Sequence, residues 1–188
     1  MSQGNASVLS AHWGIRSDYA LAQVFWIAFF AATTALAAQI EIPHQPVPFT
    51  LQTFSVLLAG ARLGRSKGVM SMGMYLLLGV LGFPVFSGAG AGLLRIAGPT
   101  GGYLLGFPIA AFAVGSLLYL RHDLWWTAAV MTLGLLIIFS VGTIQLNLIL
   151  FHDWTESIKA GFLVFSWWDA AKLCAATAIA HYYRTRVR

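Results

Sequence analysis

The chain has 188 residues, of which 59% are hydrophobic and only 9% are charged, and its mean hydropathy is +0.76. Soluble domains usually carry about 25% charged residues, so this composition excludes an ordinary soluble protein and indicates an integral membrane protein. The net charge of +5 alone would allow nucleic-acid binding, but the basic residues do not cluster on one face. The length predicts one membrane domain over residues 1–188. Its polar first segment, residues 1–18, lacks the basic-then-apolar order of a signal peptide.

Six apolar segments follow one another along the chain, and a membrane-spanning helix needs about 20 such residues. The predicted spans are Tyr19–Ile40, Phe49–Ala61, Gly68–Phe83, Gly102–Leu120, Trp125–Leu150 and Trp167–Tyr183. The second and third segments are short, so we expect them to lie off the centre of the bilayer, to tilt less than the other spans, or to extend into the flanking loops. We therefore predict an all-α membrane protein with six transmembrane helices.

The basic residues predict the orientation of these spans. With the N-terminus inside, eight of them fall on inner segments: Arg16, Arg62, Arg65, Lys67, Arg121, Arg184, Arg186 and Arg188. Only Arg95 and Lys159 fall on outer segments, and the eleventh, Lys172, lies within the last span. Cytoplasmic loops carry an excess of Lys and Arg, so both termini are predicted to be cytoplasmic. This asymmetry explains the positive charge without a nucleic-acid partner.

The predicted outer connections are long, whereas the inner ones are short and basic. The first has three prolines in the six residues 43–48 and is therefore stiff, and the second has six glycines in residues 88–102. The third covers residues 151–165. Irregular backbone at membrane depth is tolerated where it is buried in protein or lines a cavity. We therefore expect an outward-facing ligand pocket that these loops cover.

The sequence carries no motif for nucleotide binding, metal binding or covalent catalysis. The stretch G-A-G-A-G-L does not complete a dinucleotide fingerprint, and G-A-R-L-G-R-S-K departs from a P-loop at Arg65. The five histidines are scattered without metal-ligand spacing, and no nucleophile elbow is present. We expect no cofactor and no metal. Uphill transport driven by ATP would require another subunit to hydrolyse it.

The first span carries small residues at a spacing of four, which lets another helix approach closely. Ala28 is followed by Ala32, and Ala31 by Ala35. Two interpretations remain open: this stripe contacts a different subunit, or it packs within the bundle.

An acid and a base lie three residues apart in the last span, in the stretch W-W-D-A-A-K. Asp169 and Lys172 share one helix face, and charged residues within a span usually face a cavity or each other. The alternative is a capping box, with Ser166 as N-cap and Asp169 three residues later. The pair sums to zero charge, so it suits a neutral ligand group that carries both N–H and C=O.

Other polar residues near the outer side are candidate ligand contacts. Arg95 has no acid near it in sequence, so it either neutralises a ligand carboxylate or is a solvated loop arginine. Gln52, Ser87 and Tyr103 offer uncharged hydrogen-bonding groups, for which ordinary packing is the alternative.

Four motifs make the chain resemble a known family. They are P-V-P-F-T-L-Q at residues 46–52, Y-L-L-L-G-V-L-G-F-P-V-F at 75–86, G-P-T-G-G-Y-L-L-G-F-P at 98–108, and the D-x-x-K of Asp169 and Lys172. In this order they closely resemble the BioY family, the substrate-binding S components of energy-coupling-factor biotin transporters. The resemblance runs from about Ala28 to the end of the last span. The chain departs from the family pattern before the aspartate, where F-L-V-F-S-W-W replaces a run with proline and glycine.

The resemblance implies a six-helix protein of the bacterial inner membrane that binds biotin from outside. It also implies two kinds of partner, a transmembrane coupling subunit and two cytoplasmic ATPases. On this reading Asp169 and Lys172 hold the ureido ring, Arg95 meets the carboxylate, and Trp168 lies among the ligand-binding residues. The reverse assignment, with Lys172 on the carboxylate, remains open at this point.

Three other functions compete with this interpretation. The chain could be an S component for another vitamin, a solitary carrier that works without ATPases, or a membrane-embedded enzyme. An enzyme needs a nucleophile, a metal cluster or an activated acid–base pair, and this sequence offers only Asp169 and Lys172.

Overall fold

The computed structural model describes residues 20–163 and 167–186, and these residues are mostly helical. The helices are α1 (Ala20–Gln39), α2 (Gln52–Val80), α3 (Leu93–Ala97), α4 (Gly101–Leu117), α5 (Leu124–Leu146), α6 (Trp154–Gly161) and α7 (Trp167–Arg186). Two short strands, β1 (Glu41–Ile42) and β2 (Phe49–Thr50), pair antiparallel between α1 and α2. A 3-10 turn lies at Ser87–Ala89, and a π-helical turn at Asn147–Phe151 extends α5.

Helix α2 is two antiparallel arms joined by a sharp reversal at Gly64. This residue has φ 74° and ψ −178°, a conformation that glycine adopts readily because it has no Cβ. A Cβ on Gly68 would lie 3.3 Å from Cα of Gly60, which a straight helix would hold about 12 Å apart. The two arms, residues 52–63 and 65–80, therefore fold back on each other. They correspond to the second and third predicted segments, with the connecting loop reduced to one residue.

Helix α4 lies at the centre of the bundle, between the α2 arms and α5. Its residues Phe107, Ala110 and Ala111 are 0–2% exposed and pack with Val56 and Tyr75 of α2. Burial of these apolar side chains stabilises the bundle interior, while many large apolar residues remain exposed on its outside. An outer surface of this kind is typical of a protein surrounded by lipid.

Two described helical stretches, Ala20–Gln39 and Leu124–Phe151, are long and apolar enough to cross a bilayer. Helix α4 is apolar but shorter. These apolar helices indicate a membrane protein.

Connections that we predicted as loops contain short helices. Helix α6 lies within the third outer connection. Its N-cap is Asp153, whose carboxylate accepts from the main-chain N–H of Thr155 at 2.7 Å. Helix α3, which carries Arg95, lies within the second. Together with the strands, these segments form one end of the bundle, which we call the hairpin end (residues 40–51, 81–100 and 147–163).

Arg184 fastens the opposite end of the bundle. We counted it among the inner cations, but its guanidinium is buried, with the residue only 6% exposed. It donates to Thr127 Oγ1 at 2.7 Å and to the main-chain carbonyls of Leu118 and Arg121. The end of α7 is thereby tied to the connection between α4 and α5.

The small-residue stripe of α1 is divided between two environments. Ala31 is 1% exposed and packs in the core, so its predicted role in contacting another subunit is wrong, because the side chain cannot reach a partner. Ala32 is exposed, and Ala28 and Ala35 are half-buried. An external helix can therefore approach the side of α1 that carries Ala28 and Ala32.

Candidate ligand-binding site

A cleft opens at the hairpin end and reaches down to α7. It encloses about 730 Å³ of empty space, counting the part that is continuous with the outside. Of the seven predicted ligand-binding residues, six line this cleft: Gln52, Ser87, Arg95, Tyr103, Asp169 and Lys172. Their positions come from α2, the 3-10 turn, α3, α4 and α7, so the fold brings together residues that are far apart in sequence.

The Asp169–Lys172 pair forms the polar floor of the cleft. Lys172 Nζ lies 2.6 Å from Asp169 Oδ1, and both residues are buried, at 6% and 2% exposed. The ammonium also donates to the main-chain carbonyl of Thr50 at 2.8 Å and to Thr53 Oγ1 at 2.9 Å. An ammonium has three protons, so these three acceptors satisfy it without a ligand. A ligand oxygen that bonds to Lys172 must therefore replace one of them.

Asp169 lies in the first turn of α7, where main-chain N–H groups favour a negative charge. The predicted cap at Ser166 lies outside the described residues. Lys172 bonds to Thr50 of β2 and Thr53 of α2, so the pair ties α7 to both elements under either interpretation.

Gln52 and Tyr103 line the cleft, but their polar groups are used within the protein. Gln52 donates to Tyr75 Oη at 2.5 Å and accepts from Thr50 Oγ1 at 2.8 Å, and Tyr75 in turn donates to the carbonyl of Val85 at 3.2 Å. Tyr103 donates to the carbonyl of Gly161 at 2.8 Å. These bonds hold the hairpin end in place around the cleft.

Arg95 is exposed at the mouth of the cleft. Within residues 20–163 and 167–186, no carboxylate lies within 4.0 Å of its guanidinium. A Cβ on Gly90 would lie 2.6 Å from Arg95 Nε, so the guanidinium packs directly on the Gly90 backbone. Arg95 is thus positioned by close contact while its charge remains available to an anionic ligand group.

Trp168 does not line the cleft, contrary to our prediction. Its half-buried side chain follows the highly exposed Trp167 at the start of α7. The indole Nε1 is buried and has no hydrogen-bond partner among the described residues. The residue precedes Asp169 in sequence, and its ring packs edge-on against that of Trp167, with 5.8 Å between ring centroids.

Several lining residues were missed by the sequence analysis. Thr53 and the Thr50 carbonyl bond to Lys172, yet they are 119 and 122 residues away in sequence, so no local pattern indicated them. The apolar wall is formed by Phe86, Leu104, Phe107, Ile138 and Phe139. Chemically, the cleft offers a neutral acid–base pair at its floor, an apolar wall, and a cation at its mouth.

Comparison with known proteins identifies the family. The sequence model of the BioY family matches residues 8–188. The "Biotin transporter BioY" of Thermotoga maritima and the "Probable biotin transporter BioY" of Pyrococcus horikoshii are each 40% identical over 158 residues, 84% of this chain and 93% of the relative. The crystal structure of the S-component for biotin from an ECF-type ABC transporter superposes with a TM-score of 0.80 at 26% identity, covering 88% of this chain and 92% of that one. The chain therefore belongs to the BioY family.

Proposed function

We propose that the chain is the biotin-binding S component of an energy-coupling-factor transporter. It captures biotin and passes it inward with the help of partner subunits, and it does not act as an enzyme. The names of its relatives and of the superposable structure support this function. The observation that carries it is the buried, charge-neutral Asp169–Lys172 pair at the floor of a cleft with Arg95 at its mouth.

The chemistry of biotin matches this arrangement in three parts. Its ureido ring has two N–H donors and one C=O acceptor, its thioether ring and chain are apolar, and its tail ends in a carboxylate. In our proposal Asp169 accepts from a ureido N–H, and Lys172 donates to the ureido oxygen in place of one of its internal acceptors. The apolar wall packs on the ring and chain, and Arg95 meets the carboxylate.

The reverse assignment, with Lys172 on the carboxylate, is less favourable electrostatically. Asp169 already neutralises Lys172 at 2.6 Å inside a buried site. A ligand carboxylate brought to that ammonium would also lie close to the Asp169 carboxylate, and like charges repel strongly where water is excluded. Arg95 has no such competing anion within 4.0 Å in the described part of the chain.

We further propose the orientation in the bacterial inner membrane. Six helical segments, counting the two arms of α2, cross the bilayer, and both termini are cytoplasmic. The eight-to-two asymmetry of basic residues supports this orientation. The hairpin end then faces outward, and the cleft receives biotin from that side.

Energy for transport comes from partners in this proposal. The sequence has no nucleotide-binding motif, so a transmembrane coupling subunit and cytoplasmic ATPases supply the ATP-driven step. The side of α1 that carries the exposed Ala32 and the half-buried Ala28 is the surface that we propose for the coupling subunit. Small side chains there allow a second helix to pack closely in lipid.

Calorimetric titration of the purified protein tests the function. We expect biotin to bind, biotinamide to bind more weakly, and Arg95→Gln to abolish this difference. A hydrogen bond to a charged group contributes about 1.5–3 kcal/mol, so the difference in the parent is expected to be about 10- to 150-fold. Binding of riboflavin or thiamine but not of biotin would indicate a different vitamin. Biotin recovered in altered form after denaturation would indicate an enzyme.

A further inference from the structure

Gln39 is the last residue of α1. Both the nitrogen and the oxygen of its side-chain amide form hydrogen bonds to the turn at residues 86–90 in the hairpin end. Its Nε2 donates to the carbonyl of Phe86 at 3.0 Å, and its Oε1 accepts from the main-chain N–H of Ala89 at 3.0 Å. Nε2 also donates to the carbonyl of Ala35 one turn back in α1, at 3.2 Å. The amide therefore connects α1 to a segment about 50 residues away.

The turn that Gln39 holds has an unfavourable backbone. Gly88 and Ala89 both have left-handed φ angles, 61° and 51°. This conformation is rare for a residue with a side chain such as Ala89, and it persists only where surrounding contacts maintain it. The Phe86–Gly90 backbone pair closes the turn at 3.0 Å, and the Gln39 bonds reach both sides of it.

The same turn forms part of the ligand cleft and supports Arg95. Phe86 and Ser87 line the cleft, with the Phe86 ring packed edge-on against Tyr75 at 5.5 Å between ring centroids. Gly90, at the end of the turn, is the surface on which the Arg95 guanidinium lies. Any shift of this turn relative to α1 therefore moves the surface under the guanidinium.

The backbone of Arg95 is held separately. Gln145 of α5 donates to the carbonyls of Ile96 and Gly98 at 2.7 and 2.8 Å, which fastens the end of α3. Loss of the Gln39 bonds consequently leaves α3 in place and affects the side chain of Arg95 through Gly90.

We propose that Gln39 is a positioning residue for the ligand carboxylate. It holds the Phe86–Gly90 turn against α1 and thereby sets where the Arg95 guanidinium lies. The inference rests on the proposed function in one respect, that Arg95 meets the carboxylate of biotin. Gln39 does not line the cleft, so it acts through the turn and not by contact with the ligand.

The test compares biotin with biotinamide, which lacks the carboxylate charge, by titration of Gln39→Leu and Gly90→Ala. Gly90 has φ −70°, which alanine adopts, and an added methyl group displaces only the flexible end of Arg95. Two lost hydrogen bonds of about 0.5–1.5 kcal/mol each correspond to a loss of about 5- to 150-fold, and relaxation of the turn lowers the loss that reaches the ligand. We expect each variant to weaken biotin binding about five- to tenfold and biotinamide binding less than about twofold.

Two further variants complete the experiment. Gln45→Leu, which removes an exposed amide from the same end of the protein, is the control and should bind both ligands like the parent. Combining Gln39→Leu with Arg95→Gln should weaken biotin no more than Arg95→Gln alone, because both changes act on the same contact.

The results separate this inference from the proposed function. If the parent binds biotin but Gln39→Leu and Gly90→Ala weaken both ligands equally, or neither, then Gln39 does not position Arg95 and the inference is wrong. Additive losses in the Gln39→Leu, Arg95→Gln double variant would also overturn it. If the parent itself fails to bind biotin, the proposed function is wrong and the inference falls with it.

Discussion

Replacing Lys172 with Met is expected to lower the free energy of unfolding by about 3–5 kcal/mol, the usual effect of removing one partner of a buried ion pair. The change leaves the Asp169 carboxylate, 2% exposed, without the ammonium that lies 2.6 Å from it. It also removes the bonds to the Thr50 carbonyl and Thr53 Oγ1. Methionine keeps most of the length of the lysine stem, so the loss reports on charge and hydrogen bonding more than on packing.

The chain offers a matched control in a second pair with the same spacing. Lys159 and Glu156 lie 3.0 Å apart, but their side chains are 60% and 55% exposed. Lys159→Met should therefore change the free energy of unfolding by less than about 1 kcal/mol. Reversible unfolding by SDS in mixed micelles, followed by circular dichroism, measures both variants under the same conditions.

A double variant separates stability from ligand binding. Asp169→Asn combined with Lys172→Met removes both charges, so most of the lost stability should return. Biotin binding should remain at least about tenfold weaker than in the parent, because the groups that meet the ureido ring are gone. If Lys172→Met destabilises no more than Lys159→Met, or if the double variant binds biotin like the parent, our account of this pair is wrong.

Three further predictions concern other parts of the molecule. Arg184→Met should lower the free energy of unfolding by about 2–3 kcal/mol, because it leaves the carbonyls of Leu118 and Arg121 without their donor. Biotin affinity should not change, since these carbonyls lie far from the cleft. A change in biotin affinity without a loss of stability would contradict this prediction. Ala31→Leu should impair folding, because Ala31 is 1% exposed and leaves no room for a larger side chain. Ala32→Leu should fold and bind biotin but fail to copurify with the coupling subunit, because Ala32 is exposed on the proposed contact surface. Copurification of the Ala32→Leu variant would reject that surface. In a cysteine-free background, a cysteine at Leu94, which is 86% exposed, should react with an impermeant thiol reagent in intact cells, and one at Val187 should not. Labelling of the latter position would reverse the proposed orientation.

Local patterns predicted the helices well. The predicted span Gly102–Leu120 corresponds to α4 at Gly101–Leu117, because a long apolar run leaves the backbone few other ways to satisfy its polar groups in lipid. The Asp169–Lys172 contact also followed from spacing, since residues three apart share a helix face. Helix α6 was missed because it is short and polar, although Asp153 and Glu156 are spaced as in a cap.

Features that depend on long-range contacts were not predictable from one sequence. Nothing around Gln39 indicates that it bonds to a turn 50 residues later. The partners of Lys172 in Thr50 and Thr53 depend on how α7 docks against α2, and hydropathy does not specify that contact. Such bonds determine which polar groups remain open to a ligand, so the site is less predictable than the fold.

The bond between Thr53 and Lys172 also has a consequence for biosynthesis. The two residues are 119 positions apart, and ribosomes add about 5–20 residues per second, so Lys172 follows Thr53 into the nascent chain about 6–24 s later. During this interval the hydroxyl of Thr53 and the carbonyl of Thr50 have not yet met the ammonium. The floor of the cleft is completed only when α7 leaves the ribosome and docks. We therefore expect biotin to stabilise the full chain but not a chain that stops before α7.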